Sequence, residues 1–444
     1  MRAILPAPIY RPILGACAVA LLMAVPSRAQ LQESWPMVGG DPAHSGVAEG
    51  PPAPYRQVWS TKIGDPGRGA GPVLQGDTLV AMTDEDVIAL SAETGEVRWE
   101  VAREPGPAGP AAIDGERVVY TEGAGSAGAV VAVSLEDGEE AWRIDTKSPV
   151  VGGVTVADDL AVVGGRDGTV RAIDVESGDE QWSFEASGRV EAPAAVSDGL
   201  VVFVAEASQT GRATAYALDA STGKEEWSFS PDQVAFGASP VAVGDDLAVF
   251  GLGDLSVRGL ELVTGRERWS APSRAPFSAR AAPAFAGDVF IGDRVGHLYR
   301  LDPASGEERW VFRVPGSFLT GSPVVIGTVA VVGDWSGQVS AIDLETGHLV
   351  WKDTTSEGSI LGIAADGERV LVSSGDGSVK AFEHDRRGVL LDEASPTTLF
   401  VGRAVLNFAA AVLPLTLILL MLFRWVGRRP GRRFPESPAT GGDT

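Results

Sequence analysis

Four histidines, His44, His297, His348 and His384, are the only imidazoles in this chain. No two stand at i, i+2 or i, i+4, the spacings that bring two ring nitrogens to one metal ion, so a histidine-held metal is not expected. Asp167, Asp293, Asp334 and Asp376 lie in Gly-containing turns and raise the question of calcium. An Asp in a tight turn first serves the N–H groups of that turn, and none of these turns has the dense alternating carboxylates of a calcium loop. Acyl transfer needs Ser, His and an acid brought together, yet no Gly-x-Ser-x-Gly elbow has a His that can be placed beside it. Glycoside cleavage needs two carboxylates facing one cleft, and 59 acidic residues make that impossible to assign. The spacing therefore predicts no catalytic residue, no resident metal and no cofactor, and leaves recognition as the chemistry to look for.

The elements that would position a recognition site are legible from tryptophan. Trp59, Trp99, Trp142, Trp182, Trp227, Trp269, Trp310 and Trp351 lie 40, 43, 40, 45, 42, 41 and 41 residues apart. Seven of them close one phrase, seen in Ala217-Leu-Asp-Ala-Ser-Thr-Gly-Lys-Glu-Glu-Trp227, where an apolar-acidic pair leads through a Gly turn to the indole. A period near 40 residues signals a propeller or solenoid. Between successive tryptophans run a Gly/Ala/Pro segment, two apolar β-branched runs and a third alternating run, separated by Asp/Gly turns. Such runs are strands in hairpins, and with the Trp-bearing run they make four strands per unit.

The expected fold is all-β, an eight-bladed β-propeller of four-stranded blades over residues 55–385. The last unit, from about Ser359 to Glu383, has no Trp-bearing strand of its own. The first Trp run, Tyr55 to Ile63, has no blade before it. Pairing the two closes the ring and removes its open edges. Segments joining each Trp strand to the next inner strand then meet on one face near the channel. They hold the least repetitive residues: Arg68, Arg189, Glu191, Phe236, Phe277, Arg280 and Phe318. Arginine and aromatics are favoured binding anchors, so these seven form the candidate ligand or partner face. The same Phe side chains would equally serve to plug the channel.

The flanks predict a membrane address. Residues 1–29 carry Arg2 and Arg11, an apolar run from Ile13 to Val25 and Ser27-Arg28-Ala29, which reads as a signal peptide cleaved before Gln30. Cys17, the one cysteine, falls inside it, so the mature chain has no disulfide or thiolate metal site. Residues 30–54 form an extended Pro-rich lead-in, expected across the outside or one face of the ring. Residues 386–398 are a linker. A charge-free run from Ala404 to Phe423 lies within a transmembrane helix assigned to residues 399–425, since about 20 helical residues cross a bilayer core. Arginines concentrate after it, which keeps the basic tail, residues 426–444, in the cytoplasm and the propeller outside. The net charge is −23; residues 1–29 hold three Arg and no acid, and residues 403–444 six Arg against two acids, leaving −30 on the segment between. Such an acidic body repels nucleic acid. A monomeric propeller with protein partners in the cell envelope is expected.

The seven phrases resemble the PQQ-like β-propeller repeat family, which includes quinoprotein dehydrogenases and the propeller lipoprotein of the bacterial outer-membrane β-barrel assembly machinery. The resemblance covers roughly residues 35 to 385, and Trp35-Pro-Met-Val-Gly-Gly-Asp-Pro-Ala-His-Ser-Gly46 is similar to the segment before the first blade in many members. It implies that the eight repeated tryptophans dock blade on blade, which suits an aromatic burying up to about 250 Å² against a Gly that permits close approach. It also implies a choice of function. Quinone-dependent members resemble one another in a vicinal disulfide and a Glu/Asn/Asp calcium set, whereas this chain has no cysteine pair and one asparagine, Asn407, within the predicted membrane span. The expectation is a non-catalytic, membrane-anchored extracytoplasmic scaffold for protein binding or envelope assembly. The alternative is a PQQ-dependent dehydrogenase or small-molecule sensor using the channel mouth.

Overall fold

The computed structural model describes residues 34–64, 71–106, 109–232, 237–277, 281–314, 318–354 and 357–388. Within them the strands form eight sheets built on four antiparallel strands, consecutive in seven of them, and two of the sheets gain a fifth strand. Each sheet is one blade. The first strands of neighbouring blades contact one another around the ring, including Ile360–Ala365 of blade 8 against Val73–Gln75 of blade 1, so these strands line the axis. Gly362 and Gly71 show how tightly they approach, since a Cβ on Gly362 would fall 2.3 Å from the Gly71 Cα.

Blade 8 is completed by the N-terminal strand Tyr55–Lys62, which pairs antiparallel with Ser378–His384 from Tyr55↔His384 to Lys62↔Ser378. The ring closes as the sequence predicts. The predicted membrane helix at residues 399–425 and most of the linker lie outside the described residues, as does the segment read as a signal peptide. Among the described residues no helix is long and apolar enough to cross a membrane.

The indoles sit where the blades meet. Trp59, Trp99, Trp142, Trp182, Trp227, Trp269 and Trp310 each donate Nε1–H to a carbonyl of the following blade, those of Ala92, Leu135, Val175, Ala220, Leu262, Pro303 and Leu344, at 2.8–3.0 Å. Each ring is covered by the Gly of the next blade's phrase: Gly95, Gly138, Gly178, Gly223, Gly265, Gly306 and Gly347, with φ between +67° and +79°. Glycine is required twice over there, for a left-handed turn and for the absence of a Cβ against the ring. Beside every Trp the strand register slips by one residue. Such a bulge re-aims the side chain it precedes. Across the strand pair the indole faces a small residue in seven blades: Ala89, Ala132, Ala172, Ala217, Gly259, Ala341 or Ala381. Trp351, at the seam, meets Tyr55 edge-on at 5.4 Å and Phe382 at 6.1 Å.

Of the two places expected for the lead-in, the outside or one face of the ring, the outside is overturned. The segment does not lie over the outside but runs along the inner strands, touching every blade. Ser34–Trp35 adds a strand to blade 1 and Val47–Ala48 one to blade 7. Between them, the carbonyls of Pro36, Pro42, Ala43, Ser45 and Gly46 accept from Ile113, Val196, Val243, Phe285 and Val325 in blades 2, 4, 5, 6 and 7. Farther on, Pro52 and Pro54 accept from His384 and Asp385 in blade 8. His44 is the central pin, fully buried with φ +57°. Its Nδ1 donates to the Val241 carbonyl at 2.8 Å, and Nε2 lies 3.2 Å from Thr155 Oγ1. The inner strands have unpaired edges facing the axis, and a chain with alternating free carbonyls satisfies them.

Candidate interaction face

The segments that lead into each inner strand lie against the tip of the middle hairpin of the blade they enter. Isolated bridges Val150↔Gly165, Arg189↔Glu206, Ala238↔Leu252, Phe277↔Asp293 and Leu319↔Asp334 record this in blades 3 to 7. One end of the propeller is therefore built from linking segments and hairpin tips together. Of the predicted site residues, Arg68, Phe236 and Arg280 lie outside the described residues, while Arg189, Glu191, Phe277 and Phe318 can be placed.

Arg189 and Glu191 do come together, in an ionic cluster spanning blades 3 and 4. Arg189 Nη2 lies 3.4 Å from Glu206 Oε2 and its Nε 3.9 Å from Glu191 Oε1, which also receives Arg166 Nε at 3.1 Å. Glu206 in turn accepts the Ala238 N–H at 2.7 Å. These pairs are half-exposed and cross-brace the loops.

Phe277 is not on the face. It is 1% exposed and lies over Gly251 of the preceding blade, where a Cβ would come within 2.2 Å of its ring. The reason is register. Phe277 occupies the bridge position, which points between blades, as Leu319 does over Gly292. Phe318 occupies the adjacent position, and side chains alternate along an extended segment. It is accordingly 52% exposed.

Beside Phe318 stands a residue that the periodicity passes over. Trp335 is 65% exposed, the most exposed aromatic among the described residues, and its N–H donates to the Phe318 carbonyl at 2.9 Å. Arg166 and Arg294 make the same bond to Pro149 and Pro276 in blades 3 and 6, so Trp335 occupies a place that holds arginine in sibling blades. Its turn is rigid. Asp334 Oδ1 accepts from Ser336 N, Ser336 Oγ and Gln338 N at 2.8, 2.7 and 3.1 Å. The available signal in the sequence was a tryptophan in a polar Asp-Trp-Ser-Gly turn, off the 41-residue beat.

The aspartates considered for calcium serve turns. Asp167, Asp293 and Asp376 Oδ1 accept the N–H groups of Thr169, Val295 and Ser378 at 3.0–3.1 Å. Among the described residues no three His, Cys, Asp or Glu side chains gather where they could hold a metal ion. Asp293 also takes His297 Nδ1 and the Tyr299 hydroxyl on Oδ2, each at 2.8 Å, and burial pushes the tyrosine up to about 12.

The sequence model of the family described as outer membrane protein assembly factor BamB matches residues 54–127, 126–295 and 294–391. The chain belongs to that family. It is 31% identical over 158 residues to outer membrane protein assembly factor BamB of Burkholderia pseudomallei (strain K96243), covering 32% of this chain and 40% of that one. It is 33% identical over 135 residues to the serine/threonine-protein kinase AfsK of Streptomyces griseus, covering 28% of this chain and 16% of the kinase. The matches thus span less than half the length of either relative. The crystal structure of BamB from Moraxella catarrhalis superposes with a TM-score of 0.63 at 22% identity, over 76% of this chain and 99% of that one. A europium-containing methanol dehydrogenase gives 0.67 at 14% identity, over 79% and 98%. At these identities the superpositions establish the propeller fold, shared by BamB and quinoprotein dehydrogenases alike.

Proposed function

We propose that this protein is a non-catalytic scaffold of the cell envelope that binds other proteins through the hairpin-tip face of its propeller. The observation that carries the reading is the membership of the BamB family together with an exposed aromatic pair, Phe318 and Trp335, on a rigid crest. The curated BamB relative is named as an assembly factor, and a closed ring with braced loops suits recognition of other chains. The candidate face is assigned to Arg189, Glu191, Phe318 and Trp335 among the described residues, with Arg68, Phe236 and Arg280 as its proposed extension. The membrane anchor at residues 399–425, the signal peptide at residues 1–29 and a monomeric propeller outside the cytoplasm belong to the same proposal.

We further propose that the chain works without a resident quinone or metal. The support is chemical: the sole cysteine is Cys17, the sole asparagine Asn407, and the inner strands are bonded to the lead-in from blade to blade. Crosslinking in intact cells followed by mass spectrometry tests the scaffold reading, and recovery of no envelope protein with the full-length chain would overturn it. Incubation with PQQ and Ca²⁺ tests the second point, because quinone absorbance retained by the protein with alcohol oxidation would reverse it.

A further inference from the structure

The crest of blade 7 carries a buried carboxylate without a counter-charge among the described residues. Acidic side chains stand at or near the middle-hairpin tip in every blade, and those of blades 2 to 6 and 8 have a basic side chain or a hydroxyl within reach, with Asp167 3.9 Å from Arg171, Asp254 2.9 Å from Arg258 and Asp376 3.7 Å from Lys380. Glu122 meets Arg143 Nη2 at 2.6 Å, Glu206 meets Arg189 Nη2 at 3.4 Å, and Asp293 meets His297 Nδ1 and the Tyr299 hydroxyl at 2.8 Å. Asp334 is only 2% exposed, and its Oδ2 has no hydrogen-bond partner among the described residues.

Blade 6 is the internal control. Asp293 and Asp334 hold their turns alike, each accepting on Oδ1 the N–H of the residue four positions on, His297 at 2.9 Å and Gln338 at 3.1 Å. The side chains that close Oδ2 in blade 6 are His297 and Tyr299. Their counterparts in blade 7 are Gln338 and Ser340, and Gln338 Nε2 donates to Ser340 Oγ at 3.3 Å. The carboxylate is left over. Burying a charge without a counter-charge is costly, and here the residue that follows it is Trp335, exposed beside Phe318.

We propose that the blade 7 crest is a seat for an arginine side chain presented by a protein partner, with the exposed Trp335 and Phe318 as its aromatic contacts and the buried Asp334 carboxylate as a counter-charge acting from beneath the surface. A guanidinium suits the place because it is planar, stacks on aromatic faces and carries a fixed positive charge. Charge complementarity favours it over an apolar or acidic occupant, since the chain as a whole is at −23 and steers cations toward itself. The inference deepens the scaffold reading by naming the partner's chemistry, and it rests on that reading.

The test uses the full-length chain in detergent and labelled peptides of alternating Arg-Gly, Lys-Gly, Glu-Gly and Phe-Gly, with binding read by fluorescence polarisation. The Arg-Gly peptide is expected to bind at least fivefold tighter than Lys-Gly. Trp335→Ala and Asp334→Asn are each expected to weaken it at least tenfold. Asparagine keeps an Oδ1 for the turn, and circular dichroism melting confirms that both variants fold. Glu93→Gln, an exposed acid in a blade 1 turn, controls for general attraction to a polyanion and is expected to change affinity less than twofold. Equal loss in all three variants, preference for Phe-Gly, or no binding of Arg-Gly would each overturn the seat. Full recovery of crosslinked partners by Trp335→Ala in cells would overturn it too while leaving the scaffold reading intact; recovery of none by the unaltered chain strikes that reading instead.

Discussion

Gly265 lies flat against Trp227, so close that a Cβ on the glycine would fall 2.5 Å from Cδ2 of the indole. The φ of Gly265 is +67° and that of Gly199 is +73°, but nothing stands within 4 Å of a Cβ at Gly199. The pair separates backbone strain from blade packing. Gly199→Ala is expected to cost about 1–2 kcal/mol, the left-handed penalty alone. Gly265→Ala adds overpacking, for a total of about 2–5 kcal/mol. Urea midpoints measure both, and equal losses would show that the indole yields freely.

Two neighbouring phenylalanine types divide the same way. Phe277→Ala empties an inter-blade position that is 1% exposed, with an expected loss of about 3–5 kcal/mol. Phe318→Ala removes a ring from the surface and should stay within about 0.5 kcal/mol of the parent. A stable Phe277→Ala protein in thermal denaturation would contradict the packing described here.

His44 makes stability depend on pH in a defined direction. Burial holds its imidazole below the ordinary 6.5, outweighing the Val241 carbonyl and the Asp41 carboxylate, which pull upward. The folded state therefore prefers the neutral ring, and the unfolded chain takes up the proton first. The contribution is complete above pH 6.5 and is lost as pH falls through that value toward the lower folded pKa. His44→Asn tolerates the positive φ and does not titrate. Its melting temperature should lie below the parent's at pH 8, with the gap narrowing at pH 5; a constant gap would refute the linkage.

Glu122 depends on Arg143 more than the reverse. The carboxylate side chain is 2% exposed and the guanidinium 34%. Arg143→Met leaves a buried charge with the Glu104 N–H at 3.2 Å and the field of Arg103 nearby. The expected loss is about 3 kcal/mol, at the low end for a broken buried pair. Adding Glu122→Gln should restore most of it. A double variant no better than Arg143→Met alone, in urea unfolding, would mean that packing of the arginine stem dominates.

Much of this fold is legible in the sequence because each repeat repeats its physics. A Trp ten residues after a residue that is small in six of the seven phrases, with a left-handed Gly four residues before it, states the bulge, the indole and the turn that covers the preceding blade's indole, and seven copies together with Trp59 state the ring. Closure was readable because Tyr55–Lys62 had no blade and Ser378–His384 had no fourth strand. The place of the lead-in was not readable, since its contacts are backbone carbonyls that any residue supplies. Phe277 and Phe318 look alike in the chain, and only the bridge Phe277↔Asp293 decides which one faces solvent. Trp335 lay outside the period, and the missing partner of Asp334 becomes visible only when blades 6 and 7 are compared atom by atom.

The strand Tyr55–Lys62 has its mate more than 300 residues downstream, at Ser378–His384. Synthesis delivers it long before its partner. Throughout that interval it is an unpaired β edge, the kind that recruits foreign strands, and its pairing has a high loop-closure cost. A chain cut short before Ser378 thus leaves Tyr55–Lys62 without its mate, and the last blade lacks the strand that seals the circle.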